Sequence, residues 1–274
     1  MDRNLFNLQK LKARTKTQCS WFLELQYADD CALVSHTCEG LQEGISKAAA
    51  LYAKFGLEIN IRKTEVLHWS GGNSTELDAE LEINGTPLET ATSFKYLGSW
   101  ISNDAKIDDE INNRICQASR SFGRLQIRVF RNHNLKLKTK IEVYTAICLS
   151  TLLYGSESWT LYARHLKLLE AWHIKSLRCM LGDTWRDRLT HEEIFRRTDS
   201  TSQESYFGNR QLRWVGHVIR MELSKQILYG EPSSGKRIAV DQKKCYKDYL
   251  KSVLKKFEIK VKWVVYPRII CCGS

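Results

Sequence analysis

An α+β fold is predicted for this 274-residue chain, strand-rich at first and helical afterwards, from three features. Up to about residue 101, apolar residues alternate in short runs between turn residues, the pattern of half-buried strands around one packed helix. From Asp104 onward the period becomes helical, with Ile107, Ile111, Ile115, Ala118, Phe122 and Leu125 on one stripe. The charge changes at the same place. Residues 1–100 hold 10 Lys and Arg against 13 Asp and Glu, a net of −3, whereas residues 101–274 hold 32 against 18, a net of +14.

The elements follow in order. Trp21 to Leu25 and Cys31 to Val34 are apolar runs flanking Tyr27-Ala28-Asp29-Asp30, a strand-turn-strand. Leu41, Ile45, Ala48, Ala49, Tyr52 and Phe55 then recur at helical spacing, and Gly56 stands where a left-handed C-cap is wanted. Leu57 to Trp69 reads as extended chain, and Ser70 to Ser74 as a loop. Leu81-Glu82-Ile83 and Leu88 flank Asn84-Gly85, a hairpin signal, and Phe94 to Ile101 is the next strand.

In the helical part, Asp108, Asp109 and Glu110 occupy a first turn, where they complement the helix dipole. Further helices are predicted over about 135–154, 161–181 and 205–221, and Thr190 with Glu193 forms a capping box for another. Leu137, Ile141, Tyr144 and Cys148 share one face, and Leu212, Val215, Val218 and Ile219 turn inward on the last helix. Gly230 to Lys236 is linker-like and precedes a Lys-rich tail. The domain reading is therefore 1–101, 102–229 and a basic tail over 230–274.

Composition narrows the class. Hydrophobic residues at 43% allow a real core, and a pI near 9.2 with clustered cations points to a polyanion, because cations gain affinity by releasing counterions from phosphates. Nine cysteines with no Cys-x-x-Cys spacing make neither a disulfide framework nor a zinc site, so a reducing compartment, cytoplasmic or nuclear, is expected. Met1 to Lys16 lacks the apolar segment of a secretory signal, and Val143 to Tyr154 falls short of the roughly 20 apolar residues of a membrane span. No membrane partner is expected. His191-Glu192-Glu193-Ile194-Phe195 begins like a zinc-protease helix but has Phe where the second His is needed, and no Gly-rich phosphate loop or nucleophile elbow occurs.

The adjacent carboxylates Asp29 and Asp30 carry the sharpest chemical signal. Their repulsion is relieved by divalent metal, and oxygen-rich clusters of this kind hold Mg²⁺ in phosphoryl-transfer sites. Tyr-Ala-Asp-Asp is followed by the helix, by Gly56-Leu57-Glu58-Ile59-Asn60 with Lys63-Thr64-Glu65-Val66, and by Phe94-Lys95-Tyr96-Leu97-Gly98. Then come Asp109-Glu110-Ile111 with Arg114-Ile115, Ser150 to Trp159, and Arg213-Trp214-Val215-Gly216-His217-Val218. In this order the motifs resemble the second half of the palm and the following thumb and connector of a non-LTR, LINE-type retrotransposon reverse transcriptase, over about residues 5–240.

The resemblance implies a partial palm followed by a helical thumb and connector, with RNA and DNA as partners and Mg²⁺ as cofactor. Asp29 and Asp30 match the paired catalytic, metal-binding aspartates. Lys63 matches a lysine near the incoming nucleotide, although an exposed strand-end lysine explains it equally. Phe94, Tyr96, Leu97 and Gly98 match the primer grip, although Phe94, Tyr96 and Trp100 on one face of a strand also read as core. Arg210, Arg213, His217 and Arg220 at helical spacing beside Trp214 suit phosphate and stacking contacts, or else form a solvated face. Lys136, Lys138 and Lys140 make a second basic patch.

Polymerisation needs a third carboxylate from an earlier strand, and no segment here resembles that motif, the fingers or the upstream endonuclease. The expectation is a piece that is catalytically incompetent alone. The rivals are a non-enzymatic nucleic-acid-binding fragment and a translated pseudogene product whose amputated sheet exposes an edge.

Overall fold

Two hairpins in the first part close through residue pairs that both take positive φ: Asn84 at 51° with Gly85 at 76°, and Leu97 at 48° with Gly98 at 83°. That is the backbone of the two-residue turn whose twist matches the flanking strands. The first joins β4 (Glu82–Ile83) to β5 (Thr86–Pro87), and the second joins β7 (Ser93–Tyr96) to β8 (Ser99–Ser102). The sequence reading of one strand over 94–101 is therefore corrected. A Leu in the left-handed region followed by Gly folds the segment on itself and pairs Phe94 with Ile101 and Lys95 with Trp100.

The computed structural model describes residues 24–35, 37–68, 80–104, 106–183, 185–221, 231–232, 246–256 and 270–271. The predicted apolar residues 21–23, the loop at 70–74, Trp69, most of the 230–236 linker and the N-terminal sixteen residues lie outside these. The described chain divides into two compact units, residues 1–105 with 219–243 and 260–274, and residues 106–218 with 244–259.

The first unit is a set of small two-stranded sheets beside one long helix. β1 (Glu24–Tyr27) pairs antiparallel with β2 (Asp30–Leu33), and α1 spans Cys38–Lys54. Thr37 caps α1 by accepting from the Gly40 N–H at 3.1 Å. The extended reading of 57–69 is only partly right. Ile61–Lys63 makes a 3₁₀ turn, because the Thr64 hydroxyl donates back to the Asn60 carbonyl at 2.9 Å while the Lys63 N–H bonds the same carbonyl at 3.0 Å. β3 (Glu65–Leu67) follows and pairs in parallel with β6 (Glu89–Ala91). Gln42 of α1 bonds both backbone groups of Glu82, donating at 2.9 Å and accepting at 3.0 Å, which ties helix to hairpin. The core here is small: Ile45, Leu81 and Ile83, with Leu33, Leu41, Ile59, Ile61, Val66 and Leu88 around them. β9 (Glu231–Pro232) and β10 (Ile270–Cys271) form a short parallel pair.

The second unit is helical. α2 (Asp108–Leu125) runs into a wide π turn over Gln126–Phe130; α3 (Leu137–Val143) continues through a second π segment, Tyr144–Leu149, into α4 (Ser150–Leu152). α5 (Ala163–Leu181), α6 (His191–Thr198) and α7 (Gln203–Val218) complete the predicted helices. Thr190 accepts from the Glu193 N–H, but the capping box is half formed, because the Glu193 carboxylate turns to Arg196 and Arg197, which pull it down to about 2. An aromatic cluster fills the centre: Phe122 stacks on Phe130 at 4.4 Å, Tyr144 on Trp172 at 6.1 Å, and the Trp172 indole donates to Ser119 at 2.8 Å. Trp159 is buried against Phe207, while the Trp185 side chain lies outside the described residues.

The tail contains order that the sequence reading did not assign. α8 (Tyr246–Lys256) buries Tyr249 and Val253 in the same core, and the Tyr246 hydroxyl donates to the Glu157 carbonyl at 2.9 Å.

Candidate functional site

The Asp29-Asp30 hairpin is built from an alternating pair of strands with Tyr27 opposite Asp30 and Gln26 opposite Cys31. Ala28, the first residue of the two-residue turn, takes φ 53°, a left-handed value that costs a β-carbon roughly 1–2 kcal/mol. Asp29 and Asp30 are both exposed at its tip.

Two contacts brace the hairpin from behind. The Tyr96 hydroxyl donates to the Leu25 carbonyl at 3.3 Å, and the Gln26 amide donates to the Tyr52 hydroxyl at 3.4 Å. The Cys31 thiol hydrogen-bonded beside it, with some burial, raises Tyr52 above its ordinary value. The first contact brings the primer-grip-like hairpin of Phe94, Tyr96, Leu97 and Gly98 against the strand that leads to the aspartates. Tyr52 and Gln26 were missed as site residues. Tyr52 sat in the inward stripe of α1 in the sequence, where its hydroxyl was the available signal.

Lys63 stands exposed in the turn ahead of β3 and makes no bond to either aspartate among the described residues. Phe94 and Tyr96 are half-buried, with ring centroids 6.3 Å apart, and Trp100 across the hairpin is exposed. As metal donors, the two adjacent carboxylates fit a hard cation such as Mg²⁺ as part of a coordination sphere. Among the described residues no group of three or more His, Cys, Asp or Glu stands close enough to hold a metal.

The basic helix is divided by its packing. Arg210 is half-buried, donating to the Leu153 carbonyl at 2.9 Å and to Glu157 at 3.4 Å, so its guanidinium ties α7 to the turn after α4. Neighbouring Gln211 is fully buried on the Trp159 carbonyl at 2.9 Å. Trp214 meets Tyr246 edge-on at 6.1 Å. Arg213, His217 and Arg220 are exposed. In the other predicted patch Lys136 and Lys138 are exposed, but Lys140 is buried. The described cysteines Cys31, Cys38, Cys116, Cys148 and Cys179 are all free, and no described helix is long and apolar enough to cross a membrane.

Comparison with known proteins adds an origin. Over 200 residues the chain is 26% identical to a transposon-derived protein of Caenorhabditis elegans, covering 72% of this chain and 71% of that one. Its relatives are transposon-derived. Over 144 residues it is also 26% identical to the probable RNA-directed DNA polymerase from transposon BS of Drosophila melanogaster, covering 50% of this chain and 16% of that polymerase. No family model matches, and no solved structure matches.

Proposed function

We propose that the chain is a piece of a LINE-type retrotransposon reverse transcriptase, with part of the palm in residues 1–101 and a helical thumb and connector in 102–229. The observation that carries this reading is the Tyr96 to Leu25 hydrogen bond, which joins the primer-grip-like turn to the aspartate hairpin inside one unit. Similarity to a transposon polymerase over half the chain supports it. Asp29 and Asp30 would hold Mg²⁺, which in such sites stabilises the charge that develops on phosphate oxygens. Phe94, Tyr96, Leu97 and Gly98 would contact a primer strand, Lys63 the nucleotide phosphates, and Arg213 and Arg220 the nucleic-acid backbone.

By itself the chain is proposed to bind RNA and DNA without polymerising. Two carboxylates leave much of a metal's coordination to water, and removing preorganised charge removes most of the rate. On a primed RNA template with dNTPs and Mg²⁺ or Mn²⁺, no template-dependent extension is expected. Extension that Asp29→Ala abolishes would overturn the incompetence. In a Mn²⁺ titration the wild type should show a low-affinity site that Asp29→Asn and Asp30→Asn remove, and identical curves would strip the hairpin of its metal role.

A non-enzymatic nucleic-acid-binding protein is the second reading. It is favoured by the large core of the helical unit beside the net +14 of residues 101–274.

A further inference from the structure

The helical unit contains an open cleft of about 810 Å³ between the π turn after α2, α3, the C-terminal half of α5 and the start of α6. Its polar lining is mostly cationic. Arg131, Lys140, Lys175 and Arg178 face it with His133 and His191, against one carboxylate, Asp183. Phe130, Ile174, Met180 and Leu181 make the apolar wall.

Lys140 is the residue that demands an explanation. The residue is only 7% exposed, with its stem packed and its ammonium left open to the cleft, where no ion pair with a carboxylate meets it among the described residues. Lysine is rarely buried to this degree unless paired, and a packed stem of this kind holds the ammonium at one place on the cleft wall. Asp183 does not supply that charge, since it forms no ion pair with Lys140 and its buried Oδ2 has no hydrogen-bond partner.

The neighbouring cations are already positioned. Arg178 donates to the Leu189 carbonyl at 2.8 Å, which fixes its guanidinium at the rim. The Gln126 amide oxygen accepts from the Arg131 guanidinium at 3.3 and 3.2 Å, and the Arg131 backbone N–H bonds the Gln126 carbonyl at 2.8 Å. Lys175 is exposed one helical turn before Cys179 on the cleft side of α5. Held guanidiniums and an ammonium on a packed stem, lining one cleft, are suited to a tetrahedral oxyanion, which accepts from several directions at once.

We propose that this cleft is a phosphate-binding site, with Lys140 as its buried anchor and Arg131, Lys175 and Arg178 around it, and that it seats a backbone phosphate of a nucleic-acid strand. The assignment to a strand rests on the nucleic-acid reading given above; the phosphate chemistry of the cleft does not.

The test is fluorescence anisotropy of the full chain with a fluorescein-labelled oligothymidylate across a salt series, alongside thermal melting with inorganic phosphate. Lys140→Gln and Lys175→Gln should each weaken oligonucleotide binding by about tenfold and lower the salt slope by about one. Lys54→Gln, an exposed change in the acidic first unit, should leave both unchanged. Lys140→Gln should melt close to the wild type, since it removes no side-chain hydrogen bond or ion pair among the described residues. If that variant fails to fold, Lys175→Gln and Arg131→Gln, at exposed positions, carry the test.

Oligonucleotide binding that is equal in wild type and all cleft variants overturns the site while leaving nucleic-acid binding standing. No oligonucleotide binding, with phosphate stabilising the wild type but not the cleft variants, overturns the nucleic-acid reading and upholds the cleft. Absence of both overturns both.

Discussion

The two units spend their apolar residues differently. In the helical unit Phe130, Cys148, Leu152, Leu153, Leu177 and Ile194 have no exposed surface, and Tyr144, Leu161, Leu169 and Phe207 have almost none. Among the described residues of the strand unit the buried apolar set is Ile45, Leu81 and Ile83, while Phe55 is 74% exposed, Tyr27 65% and Leu57 59%. A unit of short two-stranded sheets has too little facing surface to cover such residues, because an isolated pair of strands buries only one face at best. Helices that carry a stripe across four or five turns meet several neighbours at once. Stability therefore resides in the helical unit, and the proposed chemistry in the less buried one.

The sharpest test of that contrast is the buried ion pair. Glu110 and Arg114, 2.7 Å apart and both almost inaccessible, lie on α2 with the Arg114 guanidinium 4.5 Å from the Tyr154 ring centroid. Arg114→Ala should cost about 3–5 kcal/mol in denaturant unfolding, since it removes the buried guanidinium that faces the Glu110 carboxylate. A loss under 1 kcal/mol would mean that the second unit is looser than its packing implies. Leu153→Ala should follow at about 2–5 kcal/mol, and Leu81→Ala at the low end of that range or below it, because the strand unit's thin core can relax around the gap.

His173 provides a pH readout of the helical core. The Tyr144 hydroxyl donates to its Nδ1 at 2.6 Å and its Nε2–H donates to the Thr201 carbonyl at 3.1 Å, which fixes the neutral tautomer. Burial lowers His173 to about 4 and pushes the Tyr144 hydroxyl well above its ordinary value. Since the unfolded chain binds this proton near 6.5 and the folded one near 4, stability is full above 6.5 and falls as pH drops through that window, by about 3 kcal/mol in all. Burial of Glu170 raises its carboxyl and works in the opposite sense above 4.5. Melting temperatures at a series of pH values should show the loss, and His173→Gln should flatten it.

Smaller effects separate the two readings of the basic helix. Arg210→Gln should lose about 1–3 kcal/mol by removing the guanidinium that bonds the Leu153 carbonyl and Glu157, whereas Arg213→Gln should change stability by less than about 0.5 kcal/mol. In the hairpin, Ala28→Gly should stabilise by about 1 kcal/mol, because glycine carries no β-carbon to strain at positive φ. Equal melting curves for Ala28→Gly and the wild type would show that the turn is unstrained.

The sequence alone determined the switch from strands to helices near residue 104, the stripe of α2, the Asn84-Gly85 hairpin, the α1 helix and the pairing of strands around Asp29 and Asp30. Each of these is local. Periodicity, turn chemistry and caps act within a few residues, so a linear reading captures them. Tertiary structure decided the rest. Leu97-Gly98 became a hairpin turn once Ser93–Tyr96 and Ser99–Ser102 could pair, and Tyr246 to Lys256 became a core helix once Tyr249 and Val253 had an apolar surface to meet. Arg210 and Arg213 have the same chemistry and stand three residues apart, yet one faces Leu153 and Glu157 and the other water. Lys140 looks in the sequence like Lys136 and Lys138, yet its stem is packed while theirs are exposed. Helical spacing states which residues share a face. Which face is covered, and by what, depends on elements dozens of residues away.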